Sequence, residues 1–91
     1  MRTLELTSKF KKDARLAKKR GLDVEKLDKV IDMLRADEVL SEEYQDHGLI
    51  GMYRGHRECH IEPDWLLIYL KSSDGLVLTA VRTGSHSDLY K

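Results

Sequence analysis

The 91-residue chain carries no net charge: 16 lysines and arginines are matched by 16 aspartates and glutamates. A domain that binds free nucleic acid is expected to be strongly basic, so this balance argues against that class. A single cysteine, Cys59, excludes an internal disulfide and any paired-cysteine zinc site, and it fits a reducing cytoplasm. The longest apolar run, Trp65 to Leu70, is far too short to span a bilayer, so no membrane partner is expected. Met1 to Leu6 alternates polar and apolar residues before the chain turns basic, which is unlike a secretory signal. Repeats, low-complexity tracts and interdomain linkers are all lacking, and residues 1–91 are expected to form one domain with a modest core. The first 46 residues contain no histidine.

What is present is segregated. Residues 1–22 carry a net charge of +6 and residues 23–46 a net charge of −6. A basic stripe on one helix, including Lys11 and Lys12, can meet phosphates whatever the total charge is. Alternatively, the two segments are solvated helix faces that attract each other in the fold.

Arg2 to Leu6 alternates and reads as a short strand. Thr7 or Ser8 can cap a helix running to Arg20, with Gly21 as its stop. Its narrow apolar stripe (Phe10, Ala14, Ala17) predicts a helix lying on a sheet with its lysines in water. Asp23 caps a second helix to about Ala36, striped by Val24, Leu27, Val30, Ile31 and Leu34. The short connection predicts an antiparallel helix hairpin. Residues 37–51 lack periodicity and read as a loop, with a single helical turn at Ser41 to Tyr44. The rest reads as a three-stranded meander over 52–61, 65–71 and 76–83. Its turns are Pro63-Asp64 and Ser72-Ser73-Asp74-Gly75. The fold class is α+β, with an N-terminal strand and helix hairpin packed on a mostly antiparallel sheet.

Regular hairpins would fix which side chains share a face. Cys59, Ile61, Leu66, Ile68, Leu70, Val77 and Val81 would form an apolar floor under the helices. His56, Glu58, His60, Leu67, Tyr69 and Arg82 would lie on an open face, with Asp64 and Trp65 near the hairpin end.

The last 45 residues hold all four histidines (His47, His56, His60, His86) together with Asp64, Trp65, Arg82 and Tyr90. Zinc ligation is disfavoured: on a strand His56 and His60 lie about 13 Å apart at about 3.3 Å per residue, too far to share an ion. These residue types suit cleavage of RNA without a metal or other cofactor. A base removes the proton of the ribose 2′-OH, an acid protonates the leaving 5′-oxygen, and a cation stabilises the phosphorane. Histidine serves both proton transfers near neutral pH, arginine matches phosphate oxygens, and aromatic rings stack on splayed bases. The competing reading is a binding module in which the histidines are incidental.

Three stretches carry a resemblance: Asp46 to Gly51, Tyr53 to Tyr69 (containing His60-Ile61-Glu62-Pro63-Asp64-Trp65), and Arg82 to Tyr90. In order and spacing they resemble the YafQ branch of the RelE-type bacterial toxins, whose linear pattern reads DHxLxG, GxRxxHxxPDWxLIY and RTGxHxxLF. The resemblance implies an α/β domain with helices on a mostly antiparallel sheet. It implies a cytoplasmic endoribonuclease that cuts messenger RNA in the ribosomal A site and so stops translation. It also implies a cognate antitoxin, in a hetero-oligomer that binds operator DNA through the antitoxin. His47, His60, Asp64 and His86 match the family's acid–base positions, Arg82 its phosphate-stabilising arginine, and Trp65 and Tyr90 its aromatic substrate contacts. Within that set His86 is expected as general acid, while Asp64, His60 or His47 can assist the 2′-OH. Lys11 and Lys12 are expected to contact ribosomal RNA. The alternatives are a toxin-fold protein without cleavage, acting as antitoxin-bound co-repressor or binding module, and a ribosome-independent ribonuclease.

This chain departs from the pattern in three respects. Position 90 is Tyr where Phe is common, His56 has no role in the pattern, and the chain is neutral where such toxins are usually basic.

Overall fold

The computed structural model describes residues 1–90. Thr3–Leu6 forms β1, Ser8–Lys19 α1, Val24–Arg35 α2, His47–Gly48 β2, Arg57–Glu62 β3, Trp65–Lys71 β4, Val77–Gly84 β5 and His86–Leu89 α3. The two long helices begin where the sequence offers caps. Thr7 accepts from the backbone N–H of Phe10, and Asp23 from that of Glu25. Gly21, at φ +82°, turns the chain between them. Both bury the predicted apolar stripes against one face of the sheet.

The sheet has five strands in the order β1-β5-β4-β3-β2. The expected meander is its centre. β1 adds to it in parallel alongside β5, and β2 pairs antiparallel with β3. The short β2 lies inside the segment expected to be a loop. Residues 51–53 form a 3₁₀ turn, so the strand expected from 52 starts only at Arg57.

Two bulges overturn the expected sorting of side chains. In the β3–β4 hairpin Glu62 pairs with Trp65 but His60 pairs with Leu66, leaving Ile61 as the extra residue. Ile61 packs with the helix-side core and Glu62 reaches Lys26 of α2 at 2.9 Å, so both turn to the helices. The shift of one residue exchanges the faces of β4. Trp65, Leu67 and Tyr69 enter the helix-side core with Cys59, while Leu66 and Ile68 lie on the opposite face with His60 and Glu58. In β5, Ile68 pairs with Arg82 and Tyr69 with Ala80. Val81 is therefore the extra residue and packs against Leu66 and Ile68 rather than under the helices.

The second face is not left open along its length. Leu89 of α3 packs on Leu66 and Ile68, joined by Leu49, Tyr53 and Val81. A small second core thus forms beneath the histidines. Among the described residues, no helix is long and apolar enough to cross a membrane.

Candidate active site

β5 loses its partner β1 after Ala80, and α1 takes over its edge. Thr7 Oγ1 donates to the carbonyl of Val81 at 2.7 Å, and six residues further along Asp13 accepts the backbone N–H of Thr83 at 3.1 Å. The same carboxylate holds the Arg82 guanidinium through Nε at 2.6 Å and Nη2 at 3.1 Å. This pairing engages Nε and Nη2 and leaves Nη1 unbound by Asp13, while the Tyr53 side chain also faces the guanidinium. The Asp13 carboxylate raises the Arg82 pKa further above its ordinary value, so the cation is permanent.

Gly84 ends β5, and α3 starts at once from a capping box. Ser85 accepts from the Asp88 N–H, and Asp88 accepts from the Ser85 N–H. Arg20 of α1 donates to Asp88 at 2.7 Å. His86 thus opens a short helix directly after the last strand. The Asp64 carboxylate accepts the His86 backbone N–H at 2.9 Å and its Nδ1–H at 2.7 Å. Those donors, the backbone N–H foremost, hold the Asp64 carboxyl below the usual aspartate range.

His47 stands on β2 next to Asp46, which is fixed by the Tyr69 hydroxyl and by Arg57 at 3.3 Å. His60 stands on β3 before the bulge. The ring centres of His47 and His60 are 6.4 Å apart, those of His60 and His86 5.7 Å, and those of His86 and Tyr90 6.4 Å. The structure therefore gathers His47, His60, Asp64, His86 and Tyr90 into one row, with Arg82 held at the β5 edge. Tyr53 extends the row, meeting Tyr90 edge-on at 5.9 Å and His56 at 5.8 Å.

Hydrogen bonding fixes the tautomers. His47 Nδ1 lies 2.6 Å from the carbonyl of Gln45, and His60 Nδ1 3.2 Å from that of Pro63. A carbonyl only accepts, so each Nδ1 carries the proton, as does that of His86 facing a carboxylate. All three histidines therefore present Nε2 for chemistry.

The hub between them is Glu58, which the sequence pattern sets on the open face without marking it as a site residue. It is 4% exposed and accepts the Tyr90 hydroxyl at Oε1. Its Oε2 lies 3.2 Å from His47 Nε2 and 3.9 Å from His60 Nε2. The His47 contact is an ion pair only when that imidazole is protonated. His60 Nε2 makes no hydrogen bond. Among the described residues no buried side-chain polar atom lacks a partner, so this nitrogen is in contact with solvent. A carboxylate enclosed by two histidines and a tyrosine has no local sequence signal, because its neighbours come from β2, β3 and α3.

Trp65 does not face outward. It is 2% exposed in the helix-side core, and its Nε1–H donates to Thr83 Oγ1 at 2.9 Å, which in turn donates to the Leu66 carbonyl at 2.7 Å. The β3 bulge explains why: it turns position 65 to the side opposite His60. In this position the ring fastens β4 to β5 and offers no face to a base. Tyr90 is half-exposed and can still stack. Lys11 and Lys12 are exposed on α1, away from the sheet.

Comparison with known proteins shows the family of the chain and its fold. Residues 2–91 match the family model described as bacterial toxin of type II toxin-antitoxin system, YafQ. The chain is 41% identical over 90 residues to the mRNA interferase toxin YafQ of Escherichia coli, covering 98% of this chain and 96% of that protein. The crystal structure of YafQ from E. coli superposes with a TM-score of 0.92 at 36% identity, covering 100% of both chains. YafQ in the E. coli DinJ–YafQ complex gives 0.89 at 37% identity, again over 100% of both. The chain thus belongs to the YafQ toxins of bacterial type II toxin–antitoxin systems.

Proposed function

We propose that this protein is a ribosome-dependent, metal-independent endoribonuclease that cleaves messenger RNA in the ribosomal A site. The observation that carries the reading is the His86–Asp64 pair beside His60: two imidazoles, each with Nδ1 anchored and Nε2 free for proton transfer, close enough to flank one phosphodiester. The name of the E. coli relative, an mRNA interferase toxin, supports it.

His60 Nε2 takes the proton of the ribose 2′-OH. The 2′-oxygen forms its bond to phosphorus as the bond to the leaving 5′-oxygen breaks. His86, charged at the start and stabilised by Asp64, gives its Nε2 proton to that oxygen. The products are a 2′,3′-cyclic phosphate and a 5′-hydroxyl. Arg82 offers Nη1 to the phosphorane while Asp13 holds the other edge of its fork. His47 directs Nε2 at the Glu58 carboxylate at 3.2 Å, so His60, whose Nε2 lies farther from it at 3.9 Å, is the better-placed base. Tyr90 stacks on a neighbouring base, and the exposed lysines of α1, Lys11 and Lys12 among them, meet ribosomal RNA. The neutral total charge supports dependence on the ribosome over cleavage of naked RNA. By analogy with the DinJ–YafQ complex, a cognate antitoxin silences the enzyme in the cytoplasm, and their hetero-oligomer binds operator DNA through the antitoxin.

Mixing purified ribosomes, a defined message and the protein, then mapping 5′ ends by primer extension, tests this directly. Cuts at fixed codon positions are expected, dependent on ribosomes and lost in His86→Ala. A folded, antitoxin-free protein that makes no cuts would refute it.

A further inference from the structure

The hydroxyl at position 90, which the phenylalanine common in the family would lack, does not point to solvent. It lies 2.5 Å from Glu58 Oε1, 32 residues back in the chain. Glu58 is almost fully enclosed. Its other oxygen faces His47 and His60. α3 carries Tyr90 at one end and His86 at the other, and four residues provide little internal hydrogen bonding: the Leu89 N–H to Ser85 and the Tyr90 N–H to His86. A helix this short keeps its place through its side chains rather than its own backbone. Leu89 anchors it below, Asp64 and Arg20 at its start, and the Tyr90 hydroxyl at its end.

We propose that Tyr90 is a positioning residue whose hydroxyl, donated to Glu58 Oε1, ties α3 to the buried carboxylate facing His47 and His60. The contact does two things at once. It fixes the plane of the carboxylate, so that the oxygen not bound by Tyr90 addresses the histidines. It also fixes the end of α3, and with it the distance from His86 to His60. Burial, followed by the bond to Glu58, holds the phenol well above its ordinary pKa, so at neutral pH it remains a donor. The assignment rests on the proposed cleavage reaction for its kinetic consequence but not for its structural one.

Tyr90→Phe keeps the ring and removes only the hydroxyl. In single-turnover cleavage on ribosomes programmed with message, it is expected to lower the rate at saturating protein by about 10-fold, with the half-saturating concentration unchanged. Glu58→Met, matched in length but without an acceptor, is expected to abolish that difference, so that the double variant is no slower than Glu58→Met alone. Hydrogen exchange provides the arm that needs no activity and no Glu58 variant. The Leu89 and Tyr90 amides should exchange faster in Tyr90→Phe than in the wild type. Wild-type rate and wild-type exchange in Tyr90→Phe would overturn the proposal. So would a loss confined to the half-saturating concentration, which would mean that position 90 only stacks on substrate. If the wild-type protein cleaves nothing, the proposed function falls, and the exchange of the two amides alone decides the tether.

Discussion

One oxygen of Asp64 accepts two hydrogen bonds from His86, its backbone N–H at 2.9 Å and its imidazole Nδ1–H at 2.7 Å. The backbone bond sets where α3 begins, and the side-chain bond sets which nitrogen of His86 meets the substrate. One carboxylate thus supplies both the position and the tautomer of the general acid. His86→Ala should lower the single-turnover cleavage rate by about 10²–10⁴-fold, the usual contribution of a positioned acid or base. Asp64→Asn should cost less, because an amide oxygen can still accept both bonds but stabilises the imidazolium poorly. Rates for the two variants on the same programmed ribosomes check the order; equal losses would mean that Asp64 does more than orient His86.

Asp13 is the only acidic residue among the lysines and arginines of α1, and it serves Arg82 and Thr83 together. Asp13→Asn should destabilise the fold by about 1–2 kcal/mol, less than loss of a fully buried ion pair because both partners keep some contact with water. It should also slow cleavage, since Arg82 loses the partner that aims it. Arg82→Ala should raise the activation barrier by about 2–4 kcal/mol, as for loss of other oxyanion donors. Urea unfolding and saturating cleavage rates separate the two effects.

Trp65 is expected to matter for the fold rather than the chemistry. Trp65→Phe removes the bond to Thr83 and should cost about 1–2 kcal/mol, whereas Trp65→Ala should cost about 3–5 kcal/mol by leaving a cavity between β4 and the helices. Cleavage per folded molecule should be unchanged in Trp65→Phe. A large loss of rate at full folding, measured alongside circular dichroism, would restore a substrate contact to this ring.

Acid should loosen the start of α3. The Arg20 guanidinium first, and then the Ser85 backbone N–H, hold the Asp88 carboxyl well below the 3.8 of an unperturbed aspartate. Because its folded-state pKa is lowered, ionised Asp88 stabilises the fold fully above about pH 4, and that contribution is lost as pH falls further. The advantage of the wild type over Asp88→Asn in urea unfolding should therefore be constant between about pH 5 and 7 and shrink below about pH 4. An advantage undiminished from about pH 4 down to about pH 2 would mean that the capping box, not the charge, is what Asp88 contributes.

The helices were legible because their signals are local. A capping threonine or aspartate, a stripe at 3.6-residue spacing and a glycine at the stop all lie within one segment. The three central strands were legible for the same reason, through their turns. β2 was not, since two residues carry no periodicity and exist as a strand only because β3 lies beside them. α3 was hidden likewise, its four residues held by Arg20, Asp64 and the Leu66–Ile68 surface.

The site divides along the same line. The sequence by itself determined the family, the residue types for acid–base chemistry, and the presence of His60, Asp64, Arg82, His86 and Tyr90 at fixed spacings. Only the tertiary structure decided that Trp65 turns into the core, that Asp13 holds Arg82, and that Glu58 is enclosed by His47, His60 and Tyr90. The physical reason is that one extra residue in a strand, at Ile61 and again at Val81, reverses every face beyond it while leaving composition and spacing untouched. The enclosure of Glu58 depends likewise on three elements that meet only once the sheet is formed.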